Sequence, residues 1–208
     1  MGEREDNAIS RLRQAVRRTE HATRDRTASE CGPEAADDVA GTFATDGAIG
    51  FDPFPFLRAL HDSGARAVVI GQVAGIMHGS TELTGDLDLL WDGTLAQARA
   101  IREALIATNC LSLPDLTGAQ AAYQVTGASG DLCTPELPWG DLHVASCLNR
   151  ALSAHDSTGF TVHYVALTDL IGMRRALGRP KDLRRAVELE ALLRVSPDEE
   201  SARSARSR

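Results

Sequence analysis

Gly71-Gln72-Val73-Ala74-Gly75-Ile76-Met77-His78-Gly79 and, a few residues later, Asp86-Leu87-Asp88-Leu89-Leu90-Trp91 carry the pattern from which we predict the fold. The apolar run Ala65 to Ile70 before it predicts a buried strand that ends at the first glycine. That glycine then opens a short helix, and the backbone N–H groups at a helix start can bind a phosphate. The second segment predicts another strand. Because neighbouring side chains on a strand point to opposite faces, Asp86 and Asp88 would share one face.

The sequence on either side predicts a mixed α/β (α+β) domain, in which a small mixed sheet is flanked by helices. Thr94 is a good N-cap for a helix that ends near Thr108. Gly178 ends a later helix, and Pro180 opens the next one at a position where a missing N–H group costs little. After Trp91 we therefore expect a helix over 94–108, strands over 121–126, 142–145 and 160–165, and a C-terminal pair of helices starting at 168 and 180.

Composition divides the 208 residues into three regions. Residues 1–50 are predicted to form an N-terminal arm that is partly disordered or helical, because Ile9 and Leu12 fall at helical spacing in an otherwise polar stretch. Residues 51–195 carry the apolar pattern of the folded domain. Residues 196–208 are rich in Ser, Arg and Glu and are predicted to be a disordered tail.

The net charge of −7 argues against a protein that binds nucleic acid through its overall charge. The four cysteines are far apart and form no C-x-x-C pair, which favours free thiols in a reducing cytoplasm. No apolar run approaches the roughly 20 residues that cross a bilayer, and the N-terminus does not resemble a signal peptide. We therefore expect a cytoplasmic protein with no membrane partner.

The charge balance is locally reversed between Val165 and Arg194, where seven Lys or Arg residues outnumber four Asp or Glu residues. This segment holds the only lysine, Lys181, in a chain in which all other Lys or Arg residues are arginine. A compact ammonium group near a helix start suits a phosphate, although a chance surface lysine is the alternative. An RNA partner would need a basic face such as the one predicted here from Arg174, Arg175, Arg179, Arg184 and Arg185.

Two carboxylates as close as those of Asp86 and Asp88 repel each other unless a cation lies between them, and Mg²⁺ suits such a site. The alternative is an edge strand with solvated acids. A third acid, Asp141, begins the strand predicted after the turn Pro138-Trp139-Gly140. Three carboxylates from two strands can hold two Mg²⁺ ions, one carrying a triphosphate and the other lowering the pKa of an attacking hydroxyl. Nucleotidyl transfer needs this positioning and charge neutralisation.

These motifs resemble those of the minimal nucleotidyltransferases of the polymerase-β-like superfamily, and within it the AbiEii/MenT-type toxin group. Gly71-Gln72 stands where that family has a Gly-Gly or Gly-Ser turn, and His78-Gly79 ends the following helix. Thr84-Gly85-Asp86-Leu87-Asp88-Leu89 matches its Thr-x-Asp-x-Asp motif, and Gly178-Arg179-Pro180-Lys181-Asp182-Leu183 matches its Arg-Pro-Lys-Asp motif. The resemblance covers about residues 60–194.

The resemblance implies the nucleotidyltransferase fold and the Mg²⁺-dependent transfer of a nucleoside monophosphate from an NTP to an acceptor hydroxyl. Asp86 and Asp88 match the metal ligands of the family, and Asp141 matches its third acid. For the toxin group, tRNA or another RNA is the implied acceptor at the C-terminal arginines, and an antitoxin protein is an implied partner. The residues predicted to contact the nucleotide are Gly71, Gln72, Ser80 and Lys181.

Three departures from the family pattern keep two alternatives open. Gln72 replaces the second Gly or Ser of the turn, and Glu82 and Gly85 stand where relatives often carry arginine. One alternative is a non-catalytic binding module on the same fold, with Gln72 filling the phosphate pocket. The other is a small-molecule adenylyltransferase of the aminoglycoside type, because the acidic chain favours a cationic acceptor.

Overall fold

A six-stranded mixed sheet forms the centre of the described part of the protein, which is residues 7–29, 41–137, 139 and 142–205 of a computed structural model. The strands lie in the order β3-β4-β2-β1-β6-β5. This architecture confirms the predicted mixed α/β (α+β) class. The strands are β1 (Val68–Val69), β2 (Leu89–Leu90), β3 (Gln120–Val125), β4 (Ala128–Cys133), β5 (Leu152–His155) and β6 (Thr161–Tyr164).

Helices cover the sheet and carry most of the remaining described chain. Two short 3₁₀ helices, Gly41–Ala44 and Asp46–Ala48, lie ahead of the second α-helix. The α-helices are α1 (Asn7–Thr23), α2 (Phe54–Asp62), α3 (Gly71–His78), α4 (Leu95–Ala107), α5 (Val144–Asn149), α6 (Leu167–Leu177) and α7 (Pro180–Ala205). None of the helices in the described residues is both long enough and apolar enough to cross a membrane.

The pairing of the central strands decides which side chains meet. Strand β1 pairs antiparallel with β2 and parallel with β6. Strand β2 also pairs parallel with β4, with Leu89 opposite Leu132 and Leu90 opposite Cys133. The residues that precede Leu89 and Leu132 therefore lie side by side where these two parallel strands begin to pair.

Several helix boundaries follow local signals in the sequence. The Thr94 hydroxyl caps α4 by accepting the Gln97 N–H at 3.3 Å, as predicted. Gly178 ends α6 in the left-handed conformation with φ of 66°, and Pro180 opens α7. Gly71, with φ of 64°, begins α3 directly after the buried strand β1.

The prediction of a strand over 142–145 is wrong. The helix α5 begins at Val144, and it buries Val144 and Cys147, which lie about one helical turn apart. A short apolar run does not by its period distinguish a strand from a buried helix. Strands β4 and β5 were not predicted, since glycine and serine in β4 have low strand propensity and β5 is a short strand at the edge of the sheet.

The N-terminal helix is part of the domain core and not a separate arm. Ile9 and Leu12 on α1 are fully buried in the same apolar cluster as Val73 and Met77 on α3. At the other end, α7 continues to Ala205 through most of the segment predicted to be a disordered tail, where Ala, Glu and Arg have high helix propensity. The cysteines in the described residues, Cys110, Cys133 and Cys147, are free thiols.

Candidate active site

Three carboxylates converge where strands β2 and β4 run side by side. The register that sets Leu89 opposite Leu132 puts Asp88 beside Asp131, and the Asp131 N–H donates to Asp88 Oδ1 at 3.4 Å. Burial raises the pKa of Asp88 well above its usual value, and the charges of Asp86 and Asp131 raise it further. The negative charges of Asp86 and Asp131 therefore act on Asp88, and its ionised form is disfavoured unless a cation is nearby.

Hydrogen bonds around Leu87 hold the first two acids on either side of a buried residue. The Leu87 N–H donates to the Ser129 carbonyl at 2.8 Å, and the Leu87 carbonyl accepts the Tyr123 hydroxyl at 2.6 Å. The Thr84 hydroxyl donates to Asp86 Oδ1 at 2.5 Å. Asp86 and Asp88 lie just before β2, outside its regular pairing, so the predicted sharing of one strand face stays a prediction.

Gly71 brings the start of α3 into contact with these acids. A Cβ atom built on Gly71 would lie 2.3 Å from Asp88 Oδ2, and its φ of 64° is also unfavourable for other residues. Only glycine fits here. The first N–H groups of α3, which lack partners within the helix, therefore begin beside the carboxylates.

A cavity of about 210 Å³, called the small cavity below, opens between these groups. Arg174 in its wall is only 5% exposed, and it donates to Asp182 Oδ1 at 2.5 Å and to Gln72 Oε1 at 3.4 Å. Its buried Nε has no hydrogen-bond partner among the described residues. The positive charge of Arg174 opposes the rise in the Asp88 pKa, so the guanidinium lies close enough to act on the acids and on an anion bound beside them. The polar lining of the small cavity includes Gly71, Asp88, Asp131, Trp139, Arg174 and Arg179.

A second, larger cavity of about 860 Å³, called the large groove, begins at the same acids. Asp88 lines the small cavity, Asp86 lines the large groove, and Asp131 lines both. The described lining of the large groove contains no Lys, Arg or His. Its walls come from the segment Thr45 to Gly50, the loop around Ser112, and the β3–β4 hairpin.

Gln72 and Ser80, both predicted to contact the nucleotide, are hydrogen-bonded to each other, and their contact with a nucleotide stays a prediction. The Gln72 amide donates to Ser80 Oγ at 3.0 Å and to the Glu82 carbonyl at 3.1 Å, while its oxygen accepts from Arg174. Neither residue belongs to the described lining of the small cavity, whereas Gly71 does. Gln72 therefore accepts a hydrogen bond from Arg174, and its side chain does not fill the small cavity.

Lys181 lies in the first turn of α7 and is buried, with 8% of its surface exposed. The neighbouring Asp182 is fully buried and accepts from both Arg174 and Arg179, the latter at 2.6 Å. Lys181 is absent from the described lining of the small cavity, so its predicted contact with the nucleotide phosphates stays a prediction.

The charge of Glu82, one of the predicted departures from the pattern that the chain resembles, is offset by two arginines of α7. Arg184 donates to the Glu82 carboxylate at 3.1 and 3.2 Å, and Arg185 donates to it through Nε at 2.9 Å. Burial opposes ionisation, but these hydrogen bonds hold the pKa of Glu82 below its usual value. Glu82 therefore fastens the segment after α3 to α7.

The predicted basic face is engaged in contacts within the chain. Arg174 and Arg179 share Asp182, Arg175 binds Glu190, Arg184 binds Glu82 and Glu188, and Arg185 binds Glu82. A polyanion would have to compete with these internal carboxylates, so the contacts give no support to an RNA site at these arginines.

The predicted third acid, Asp141, lies outside the described residues, whereas Asp131 is an acid that the sequence analysis missed. The signal that could have found it is the two-residue Thr126-Gly127 turn after a predicted strand, because such a turn marks a hairpin. A returning strand would then place Asp131 one residue before an apolar Leu132, as Asp88 precedes Leu89.

The described residues contain no group of three or more His, Cys, Asp or Glu side chains arranged to hold a metal ion by themselves. The oxygen donors of Asp86, Asp88 and Asp131 nevertheless suit Mg²⁺, which is usually bound by one or two carboxylates together with substrate phosphates. Burial is the main cause of the raised Asp88 pKa, and repulsion from Asp86 and Asp131 adds to it; a bound cation would relieve that repulsion. The acids therefore fit Mg²⁺ bound jointly with a nucleotide.

Comparison of the chain with protein-family models, with curated proteins and with solved structures finds no match.

Proposed function

We propose that the protein is a Mg²⁺-dependent nucleotidyltransferase that moves a nucleoside monophosphate from an NTP to an acceptor hydroxyl. The observation that carries this proposal is the pairing of Asp88 with Asp131 beside Gly71, at the mouth of a cavity that also holds Arg174. Carboxylates for a metal and donors for an anion thus meet in one place. Phosphoryl and nucleotidyl transfer depend mainly on such positioning and charge neutralisation.

On the donor side, the nucleotide triphosphate would lie in the small cavity. Arg174 and the first N–H groups of α3 would bind phosphate oxygens, and Asp182 with Gln72 would hold the Arg174 guanidinium in place. Trp139 in the cavity wall, 6% exposed, offers an aromatic face on which a base can stack.

On the chemical side, Asp86, Asp88 and Asp131 would hold Mg²⁺ against the phosphates. The ion would supply charge neutralisation at the α-phosphate and would lower the pKa of the acceptor hydroxyl. Asp131 lines both cavities and is therefore the carboxylate best placed to accept the proton of the attacking hydroxyl.

The contacts of Gln72 weigh against the non-catalytic alternative. That alternative requires the Gln72 side chain to fill the phosphate pocket, but the amide is bound to Ser80 and Glu82. The charge of Glu82 is likewise offset by Arg184 and Arg185. The departures from the family pattern therefore leave the small cavity able to take an anion. A cytoplasmic location and an antitoxin partner stay predictions of the resemblance.

The direct test is the transfer of label from each α-labelled NTP in the presence of Mg²⁺ to total tRNA, to protein and to small hydroxyl compounds. We expect Asp88→Asn and Asp131→Asn to lower the rate by at least about 100-fold, because each removes a carboxylate from the metal site. The matched control is Asp115→Asn, because Asp115 is an exposed acid in a loop; this variant should leave the rate unchanged.

Variants of Asp131 and Asp141 decide which of these two residues supplies the third carboxylate. If Asp131 is the third acid, Asp141→Asn keeps activity while Asp131→Asn loses it, and the reverse result assigns the role to Asp141. If label is transferred to no acceptor and calorimetry shows no Mg²⁺-dependent NTP binding, the proposal of an enzyme is contradicted.

A further inference from the structure

The backbone next to Asp86 is in close contact with the N-terminal part of the chain. A Cβ atom built on Gly85 would lie 2.4 Å from the Ala48 backbone N, and one built on Gly47 would lie 2.9 Å from the Gly85 carbonyl oxygen. Both positions therefore need glycine, because the two backbones approach too closely for a side chain to fit between them. The segment Thr45 to Ala48, called the N-terminal turn below, thus lies directly against the residue that precedes Asp86.

Arg26, which follows α1, binds the carbonyl groups that lead into this turn. Its guanidinium donates to the carbonyls of Phe43 at 2.8 Å, Ala44 at 3.0 Å and Thr45 at 3.1 Å. The Thr45 carbonyl also accepts the Ala48 N–H at 3.2 Å, so one oxygen joins Arg26 to Ala48. Because the guanidinium presents its donors in a rigid planar fork, three bonds fix one arrangement of the backbone. Arg26 therefore holds the N-terminal turn in place.

The chain is attached on both sides of Asp86. On the C-terminal side, the hydrogen bonds of Leu87 attach it to the β3–β4 hairpin. On the N-terminal side, the contact of Gly85 attaches it to the N-terminal turn. Asp88 has a separate contact, because it accepts the Asp131 N–H. A displaced N-terminal turn would therefore move the carboxylate of Asp86 more than that of Asp88.

We propose that Arg26 is a positioning residue of the nucleotidyl-transfer site, and that it places the Asp86 carboxylate through the N-terminal turn and Gly85. This inference rests on the proposed function and extends the site to a region whose composition predicted an arm outside the folded domain. Arg26 is absent from the described lining of the small cavity and of the large groove, so it acts through the backbone. Removal of a group that orients metal ligands typically costs roughly 10- to 100-fold in metal affinity or activity.

The test compares Arg26→Gln with Arg24→Gln, which removes the same charge from an exposed position two residues earlier. We expect Arg26→Gln to raise the Kd for Mg²⁺ in the presence of NTP by about tenfold or more, measured by calorimetry, and Arg24→Gln to leave it unchanged. Arg26→Lys keeps the charge but presents one ammonium group to three carbonyls, so its loss should be intermediate. Arg26→Lys carries the test if Arg26→Gln does not fold.

Two further measurements distinguish positioning from a general loss of stability. In the metal-free protein, hydrogen exchange at the Leu87 amide should be faster in Arg26→Gln, while exchange at the Val73 amide in the core stays unchanged. In a double-mutant cycle, Arg26→Gln should weaken Mg²⁺ binding no further once Asp86→Asn has removed the carboxylate. A substitution that acts on stability alone would add its full effect in both backgrounds.

The outcomes separate this inference from the proposed function. Wild-type protein without Mg²⁺-dependent NTP binding overturns both. If the wild-type protein binds, three results overturn the positioning role alone and leave the metal site standing. These are an unchanged Mg²⁺ affinity in the folded Arg26 variants, an equal loss in Arg24→Gln, and an equal loss with and without the Asp86 carboxylate.

Discussion

At the residue scale, Gly71 links the backbone of the turn to the candidate catalytic acids. Its φ is positive, and its Cα hydrogen occupies the space next to Asp88 Oδ2. Gly64 has a similar φ of 72°, but nothing lies within 4 Å of the Cβ position there. The two glycines therefore share the backbone requirement and differ in the close approach to an acid.

We predict that Gly71→Ala destabilises the protein by about 2 kcal/mol more than Gly64→Ala does. Gly64→Ala should cost only the left-handed backbone strain, about 1 kcal/mol, because its Cβ meets open space. Gly71→Ala adds a clash with Asp88 and should also weaken Mg²⁺-dependent NTP binding. Chemical denaturation and calorimetry measure both effects, and equal losses of stability in the two variants would contradict the close approach.

At the element scale, the segment after α3 is held against α7 by Glu82. Arg185, only 5% exposed, and Arg184 both donate to this one carboxylate. The pair Arg184–Glu188 is an exposed contact within α7 and provides an internal comparison. Removal of one partner from a buried pair leaves the other charge uncompensated, whereas exposed pairs contribute little.

We predict that Glu82→Gln lowers the free energy of unfolding at pH 7 by about 3 kcal/mol, and that Glu188→Gln changes it by less than about 1 kcal/mol. Because the folded-state pKa of Glu82 is held below its ordinary value of 4.5, its stabilisation is present above that value and is lost as the pH falls through the folded pKa. The difference between wild type and Glu82→Gln should therefore close in acid. A difference that persists unchanged at low pH would contradict the ion-pair explanation.

At the scale of the whole molecule, α1 and the sheet share one apolar core. Leu12 on α1 is fully buried, although its region was predicted to be an arm outside the domain. We predict that Leu12→Ala destabilises the whole protein by about 2–5 kcal/mol in a single cooperative transition. Leu95→Ala, at a position 69% exposed, should change stability by less than about 0.5 kcal/mol. A small effect of Leu12→Ala, or a separate early transition, would mean that α1 is an independent arm.

The local parts of the fold were predictable because their causes are local. The Thr94 cap, the Gly178 stop and the Pro180 start each depend on one residue and its immediate neighbours. The short segment over 142–145 was not predictable, because a few apolar residues fit either a strand or a helix until their packing partners are known.

The residues of the candidate site likewise fall into those that could be predicted from local sequence and those that could not. Gly71, Asp86 and Asp88 were found because they occupy one continuous stretch of sequence. Asp131 was missed because it reaches Asp88 only through the pairing of β2 with β4, between residues 43 positions apart. The environment of Gln72 and Glu82 likewise depends on α6 and α7, about 100 residues further along the chain.

Local sequence was therefore enough to predict the mixed α/β class, the glycine turn and the first two acids, because backbone conformation and side-chain alternation are set over a few residues. Three features became visible only in the folded protein: Asp131 joins those acids, the α7 arginines bind internal carboxylates, and the small cavity and the large groove meet at Asp131. These features depend on strand register and helix packing, which bring together residues that no short stretch of sequence connects.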